Sequence, residues 1–223
     1  MSTPSTTCCS SKSQCGCSGA SVTTSAPQRA TNELGDPTGW LTDGTVAPAL
    51  DLGQWIETNR PLMKPPVANK YVYSGQDFFV MIICGPNSRN DFHQTDSEEF
   101  FFQMKGDIVV KIRDKAGVRD IPIREGECFF IPPNVPHSPR RGPNTVGMVI
   151  ERRRPPNEKE HIIYFCPNCG ELVHDKAFAC QDIVKHFTQA MEEFWANAEL
   201  STCRKCGTRI TKPQPGTTSP GAC

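Results

Sequence analysis

Between residues 71 and 151 the chain alternates short β-branched or aromatic runs with turn residues. This rhythm restricts the fold more than any other feature. The runs cover 71–73, 78–83, 100–102, 108–112, 128–131 and 146–150. Gly, Asp, Asn and Pro punctuate them, and Lys105-Gly106-Asp107 and Lys115-Ala116-Gly117 are turn candidates. Many short strands at this spacing predict a mainly β fold, an antiparallel barrel or jelly roll that can hold a small ligand inside. Ahead of the strands, residues 49–60 suit a short helix with Leu52, Trp55 and Ile56 on one face, stopped by Pro61 and Pro65-Pro66.

A different pattern follows Pro155-Pro156. Cys166-Pro-Asn-Cys169-Gly170 and Cys203-Arg-Lys-Cys206-Gly207 are two Cys-x-x-Cys knuckles, each closed by a glycine that allows a tight turn. Four thiolates make a tetrahedral sulfur cage for Zn²⁺ or a single Fe, and leave no position open, so the expected role is structural. Between the knuckles, Ile183, Phe187, Ala190, Met191, Phe194 and Trp195 recur at helical spacing, with Asp182 as a candidate N-cap. That stripe reads as packing. It carries no basic face, which argues against a nucleic-acid-binding ribbon.

The expected organisation is therefore a low-complexity disordered tail over 1–45, a barrel over 46–158, a small four-cysteine metal module containing one helix over 159–212, and a frayed tail over 213–223. The thiols of Cys8, Cys9, Cys15 and Cys17 read as incidental to the tail. Charge is balanced, with 24 basic and 24 acidic residues, so no field points to nucleic acid. No apolar run is long enough for a membrane helix. The first residues lack a secretory apolar core and carry only Lys12 and Arg29 as cations, which makes cytoplasm the expected compartment. Paired cysteines without a secretory signal are expected as metal ligands rather than disulfides.

Within the barrel segment, His93, Glu99 and His137 stand at the edges of strand-like runs. Two His and one carboxylate can hold one face of a non-haem Fe(II), leaving the other positions open, provided that the three converge. Pro132, Pro133, Pro136 and Pro139 stiffen the backbone around His137. Arg89, Arg140 and Arg141 near a barrel mouth suit an anionic substrate, because the guanidinium fork matches a carboxylate. Glu151 closes an apolar run, with Arg152 or Arg141 as the plain salt-bridge partner. His161, His174 and His186 have no such context and read as structural.

The same residues carry a resemblance. Gly85, His93, Glu99 and Gly106, then Gly126, Pro132 and His137, resemble the two cupin motifs. The chain departs from them at Asp91, where many cupins have another His, and at Asn134, where a Gly is usual. More specifically, Lys64-Pro-Pro-Val-Ala-Asn69, Gly85-Pro-Asn-Ser-Arg89-Asn-Asp-Phe-His93, Glu98-Glu99-Phe-Phe, Pro132-Pro-Asn-Val-Pro-His137-Ser-Pro-Arg-Arg141 and Val149-Ile-Glu151-Arg resemble the 3-hydroxyanthranilate 3,4-dioxygenase family over about residues 48–213.

The resemblance implies a cupin jelly roll with catalytic Fe(II) on His93, Glu99 and His137. It implies substrate contacts from Asn69, Arg89, Glu99, Arg141 and Glu151. Arg89 and Glu151 would act in catalysis, Glu151 as proton acceptor, with Arg140 left on the rim. The four cysteines would form a rubredoxin-like Fe or Zn site. The implied reaction opens 3-hydroxyanthranilate with O₂ on the route to quinolinate and NAD, in a protein that can be a homodimer and needs no nucleic acid or membrane. Alternatives are a non-catalytic cupin sensor, or a cupin dioxygenase for another small aromatic acid.

Overall fold

The computed structural model describes residues 49–215, which fall within one compact unit. The expected tail over 1–45 lies outside the described residues. Helix α1 (Leu52–Asn59) starts where the Asp51 side chain accepts a hydrogen bond from the Gln54 N–H at 2.9 Å. It packs Ile56 against a small cluster with Met63, Ile82, Cys84 and Val146. A 3-10 turn at Arg60–Leu62, holding Pro61, ends it.

Eleven strands follow: β1 (Asn69–Ser74), β2 (Phe78–Cys84), β3 (Phe92–Gln94), β4 (Glu99–Lys105), β5 (Ile108–Asp114), β6 (Gly117–Ile123), β7 (Cys128–Ile131), β8 (His137–Arg140), β9 (Val146–Arg152), β10 (Glu160–Phe165) and β11 (Leu172–Phe178). They form two antiparallel sheets, in the orders β1-β2-β9-β4-β7 and β11-β10-β3-β8-β5-β6. Every apolar run read from the sequence lies in a strand. Along β4 and β5, burial alternates residue by residue, as expected for one face against a core. Gly106, at φ +64°, makes the turn between these two strands. Asn134 sits at φ +61°, a left-handed conformation that Asn tolerates better than other residues with a Cβ. That is why Asn can stand where the motif usually has Gly.

The strands not read from the sequence are β3, β6, β8, β10 and β11. β3 and β8 are short and rich in His, Gln, Ser and Arg. β6 is mostly exposed and holds Pro122, a residue suited to the sheet edge it occupies.

The four-cysteine segment is continuous with the barrel. β10 pairs with β3, placing Ile162 opposite His93 and Ile163 opposite Phe92. Two helices, rather than one, lie between the knuckles: α2 (Ile183–Ala196) and the single turn α3 (Ala198–Ser201). Asp182 caps α2 through the Lys185 N–H at 3.1 Å. Its apolar stripe joins the barrel's own core, where Phe194 stacks on Tyr164 with ring centroids 3.5 Å apart. Beyond α3 the chain returns across the barrel. The Asn90 side chain donates to the Thr211 carbonyl, and the Ser88 hydroxyl to the Pro213 carbonyl, each at 2.9 Å. Pro213, where fraying was expected to begin, is thus held. Among the described residues no helix is long and apolar enough to cross a membrane.

Candidate metal centre and substrate cavity

His93 on β3 and His137 on β8 are direct partners across their pair of strands. Glu99 opens β4 in the other sheet, opposite Glu151 of β9. The two sheets therefore bring two imidazoles and two carboxylates face to face inside the barrel. Glu99 Oε1 lies 3.1 Å from His93 Nδ1 and 3.3 Å from His137 Nε2. All three side chains are buried, and their donor atoms lie within 4.8 Å of one another. Glu99 Oε1 nonetheless has no hydrogen-bond partner. Three buried lone-pair donors gathered this closely could hold a metal ion.

The far side of each ring is fixed. The second nitrogen of His137, Nδ1, faces the Val135 carbonyl at 2.9 Å. His93 Nε2 faces Glu160 Oε2 at 2.5 Å. A ring N–H donating outward leaves the inward nitrogen unprotonated for a ligand role. Glu160 gave no signal in the sequence. It is fully buried and is also held by the Arg154 Nε. Arg154 Nη2 donates to Glu151 Oε2 at 2.5 Å, so the partner of Glu151 is Arg154, not Arg141 or Arg152. Arg152 instead pairs with Glu158 near the surface.

Three buried carboxylates, Glu99, Glu151 and Glu160, face the single guanidinium of Arg154. Carboxylates thus outnumber the cation that they share, which favours positive charge among them. The protonation equilibria reflect this crowding. Burial alone would lower the His93 pKa, but Glu99 and Glu160 override it and raise it to about 10. Burial raises the Glu99 pKa, but His137 and His93 hold it well below the usual carboxylate range. Glu151 is pushed up to about 7, first by burial and then by Glu99.

The two expected arginines differ. Arg89 is gripped by Asp91 through Nε–Oδ1 at 3.1 Å and Nη2–Oδ2 at 2.6 Å, and its guanidinium sits 5.6 Å from the Phe187 ring centroid. Asp91, the departure from the cupin motif, thus serves as counter-ion to Arg89. Arg141 is buried with no carboxylate partner among the described residues; its Nη1 donates to Gln103 Oε1 at 3.0 Å. Burial lowers its pKa to about 10, and Arg89 adds to the effect. Gly147 makes room for it, since a Cβ there would meet Arg141 Nη1 at 2.5 Å. A buried guanidinium lacking a counter-ion can accept an anion. Arg140 turns away and donates to the Arg89 carbonyl at 2.8 Å.

Asn69, Arg89, His93, Glu99, His137, Arg141 and Glu151 line one cavity. Met81, Phe101, Ile183 and Phe187 supply apolar walls. Ile183 and Phe187 come from α2, and Phe187 meets His93 edge-on at 4.9 Å between centroids. The sequence marked these two as packing residues but could not show that they wall the site. A wider cavity of about 410 Å³ lies beside Glu160 and Arg154, bordered by Tyr71, Arg153 and Cys180, and holds none of the three converging ligands.

The four knuckle cysteines also converge. The Sγ atoms of Cys166 and Cys206 are 3.5 Å apart, and those of Cys169 and Cys203 are 3.7 Å apart. A tetrahedron with metal–sulfur bonds of about 2.3 Å has edges of about 3.8 Å, so the spacing suits a shared ion rather than disulfides. The knuckles match in backbone geometry: the N–H of Gly170 bonds the Cys166 carbonyl and that of Gly207 the Cys203 carbonyl, each at 2.9 Å. The Thr208 hydroxyl and N–H hold the Cys206 thiol down to about 5, in the thiolate range.

A two-sheet antiparallel jelly roll with two His and one Glu converging between its sheets defines a metal-binding cupin. Within that class, residues 45–195 match the family of 3-hydroxyanthranilic acid dioxygenase, and the chain belongs to that family. It is similar to the 3-hydroxyanthranilate 3,4-dioxygenase of Xanthomonas euvesicatoria pv. vesicatoria (strain 85-10), at 42% identity over 73% of this chain and 92% of that protein. It is also similar to the protein of that name from Neurospora crassa, at 44% identity over 75% and 93%. Among solved structures, a cupin-2 domain protein from Shewanella frigidimarina is 21% identical, with a TM-score of 0.37 over 44% of this chain and 92% of that one.

Proposed function

We propose that the chain is a ring-opening dioxygenase that converts 3-hydroxyanthranilate and O₂ to 2-amino-3-carboxymuconate 6-semialdehyde. The observation that carries this reading is the single cavity in which a buried guanidinium without a counter-ion, Arg141, shares walls with a converging two-His, one-Glu ligand set. The first suits a substrate carboxylate and the second a metal with open positions. The donor chemistry suits Fe(II), which in such sites brings substrate and O₂ together and passes electrons between them.

The chain's own residues do the rest. His93, Glu99 and His137 hold the ion, and Glu160 and the Val135 carbonyl hold the two rings in register. Arg141 takes the substrate carboxylate, and Asn69 borders the ring. Arg89, steadied by Asp91, would serve the oxygen side. Glu151, with its pKa near 7 and its contact to Arg154, is poised to take the proton of the substrate hydroxyl. Met81, Phe101, Ile183 and Phe187 keep water from the ring. The bond between the hydroxyl-bearing carbon and its neighbour away from the amine breaks; the first becomes a carboxylate and the second an aldehyde, so both oxygen atoms of O₂ enter the product. That product can close to quinolinate with loss of water, the precursor used for NAD. The four cysteines hold Fe or Zn as a structural ion. Cysteines without disulfides among the described residues suit the cytoplasm.

The test is anaerobic Fe(II) loading, then substrate in air, with O₂ uptake and product absorbance recorded together. One O₂ per substrate, and a new absorbance that decays to quinolinate, would support the reading. No uptake with iron and substrate both bound would overturn it in favour of a sensor. Glu99→Ala should lose iron; full iron and turnover in that variant would overturn the ligand set.

A further inference from the structure

The outer face of the six-stranded sheet carries a second group of cations. Val109 pairs with Arg140 and Lys111 with Ser138, while Ile112 pairs with His137. Side chains alternate between faces, so Lys111, Arg113 and Arg140 stand opposite to the face that bears His137. Phe92 and Phe165 share their side of the sheet, edge to face at 5.4 Å. The first cysteine knuckle borders them across a cleft of about 450 Å³ that no carboxylate lines. It shares no lining residue with the substrate cavity.

The charges there are incompletely matched. Lys111 pairs with Asp120 at 2.6 Å. Arg113 sits 3.9 Å over the Phe165 ring and makes no ion pair among the described residues. Arg140 makes none either, since both oxygens of nearby Asp91 are taken by Arg89, and its buried Nε has no hydrogen-bond partner. Apolar walls with a few convergent donors, in a volume suited to a single ring, describe a small-molecule site. Two of the donors are guanidinium forks, which match carboxylates, and Phe92, Phe165 and Val118 give the cleft an apolar side against which the body of a small ligand can pack.

We propose that this cleft binds a small planar dicarboxylate, an aromatic ring bearing two carboxylates, with one carboxylate on Arg140 and the other on Arg113 and Lys111. The Arg140 contact to the Arg89 carbonyl gives such a ligand a route to the backbone of the substrate cavity.

The experiment is calorimetric titration of the metal-loaded full chain with benzene-1,2-dicarboxylate, in wild type, Arg141→Ala and Arg113→Ala. A saturable site is expected that persists in Arg141→Ala, where the substrate cavity has lost its free guanidinium, and that is weakened about tenfold or more in Arg113→Ala, with affinity falling as salt rises. If Arg113→Ala proves misfolded by circular dichroism, Lys111→Ala, at a side chain 33% exposed, carries the same expectation. No saturable binding would overturn the proposal and leave these cations to offset the sulfur cage beside Cys166. Binding lost in Arg141→Ala but kept in Arg113→Ala would overturn it as well, by assigning the ligand to the substrate cavity. Displacement by equimolar inorganic phosphate would overturn the planar dicarboxylate class.

Discussion

Replacing Glu160 by Gln tests how far the metal centre depends on a residue that never touches the ion. The change keeps the size of the side chain and an acceptor oxygen, but removes one of the two carboxylates flanking His93. It also removes one negative charge from beside the site. The imidazole becomes a poorer donor and the site a weaker attractor for a dication. Losing such an outer partner lowers metal affinity by about 10- to 100-fold, or roughly 1.4–2.7 kcal/mol. Fe(II) competition against a chromophoric chelator under nitrogen measures this without turnover. Glu158→Gln, which removes the surface partner of Arg152, should leave affinity unchanged. Wild-type affinity in Glu160→Gln, with circular dichroism unaltered, would refute the claim that Glu160 sets the His93 ring for ligation.

Arg141→Ala should retain iron yet bind substrate about thirtyfold or more weakly, a loss of about 2 kcal/mol, as read from single-turnover titration under nitrogen. Gly147→Ala should produce a milder version of the same defect, because the new Cβ would press on the Arg141 guanidinium; an unchanged substrate affinity would show that the arginine has another resting place. Cys203→Ser should release the ion of the sulfur cage and lower the melting temperature, and metal analysis should fall by one equivalent while the ion at His93 stays. Since α2 carries Ile183 and Phe187 into the substrate cavity, the same variant should also weaken substrate binding; intact binding would mean that the helix holds its place without the cage.

Local chemistry made much of this protein legible in its sequence. The apolar runs predicted six of the strands because β-branched and aromatic residues suit a half-buried pleated surface and turn residues bound each run, and the paired Cys-x-x-Cys spacing predicted a sulfur cage because four thiolates need little more than two turns. His93, Glu99 and His137 stood out by type and order. Their convergence, however, depends on β3 pairing with β8 while β4 sits in the opposite sheet, and the weakly apolar sequences of β3 and β8 announce neither. The counter-ions were equally invisible: Glu160 lies 67 positions from His93, and the strands between them must close before the two meet. The same closure left Arg141 without a carboxylate while giving one to Arg89, and turned the α2 stripe from a packing face into a wall of the cavity. Residue type and spacing thus determined which groups could act; the pairing of strands distant in sequence decided which of them share a desolvated interior, where their charges and lone pairs acquire chemical force.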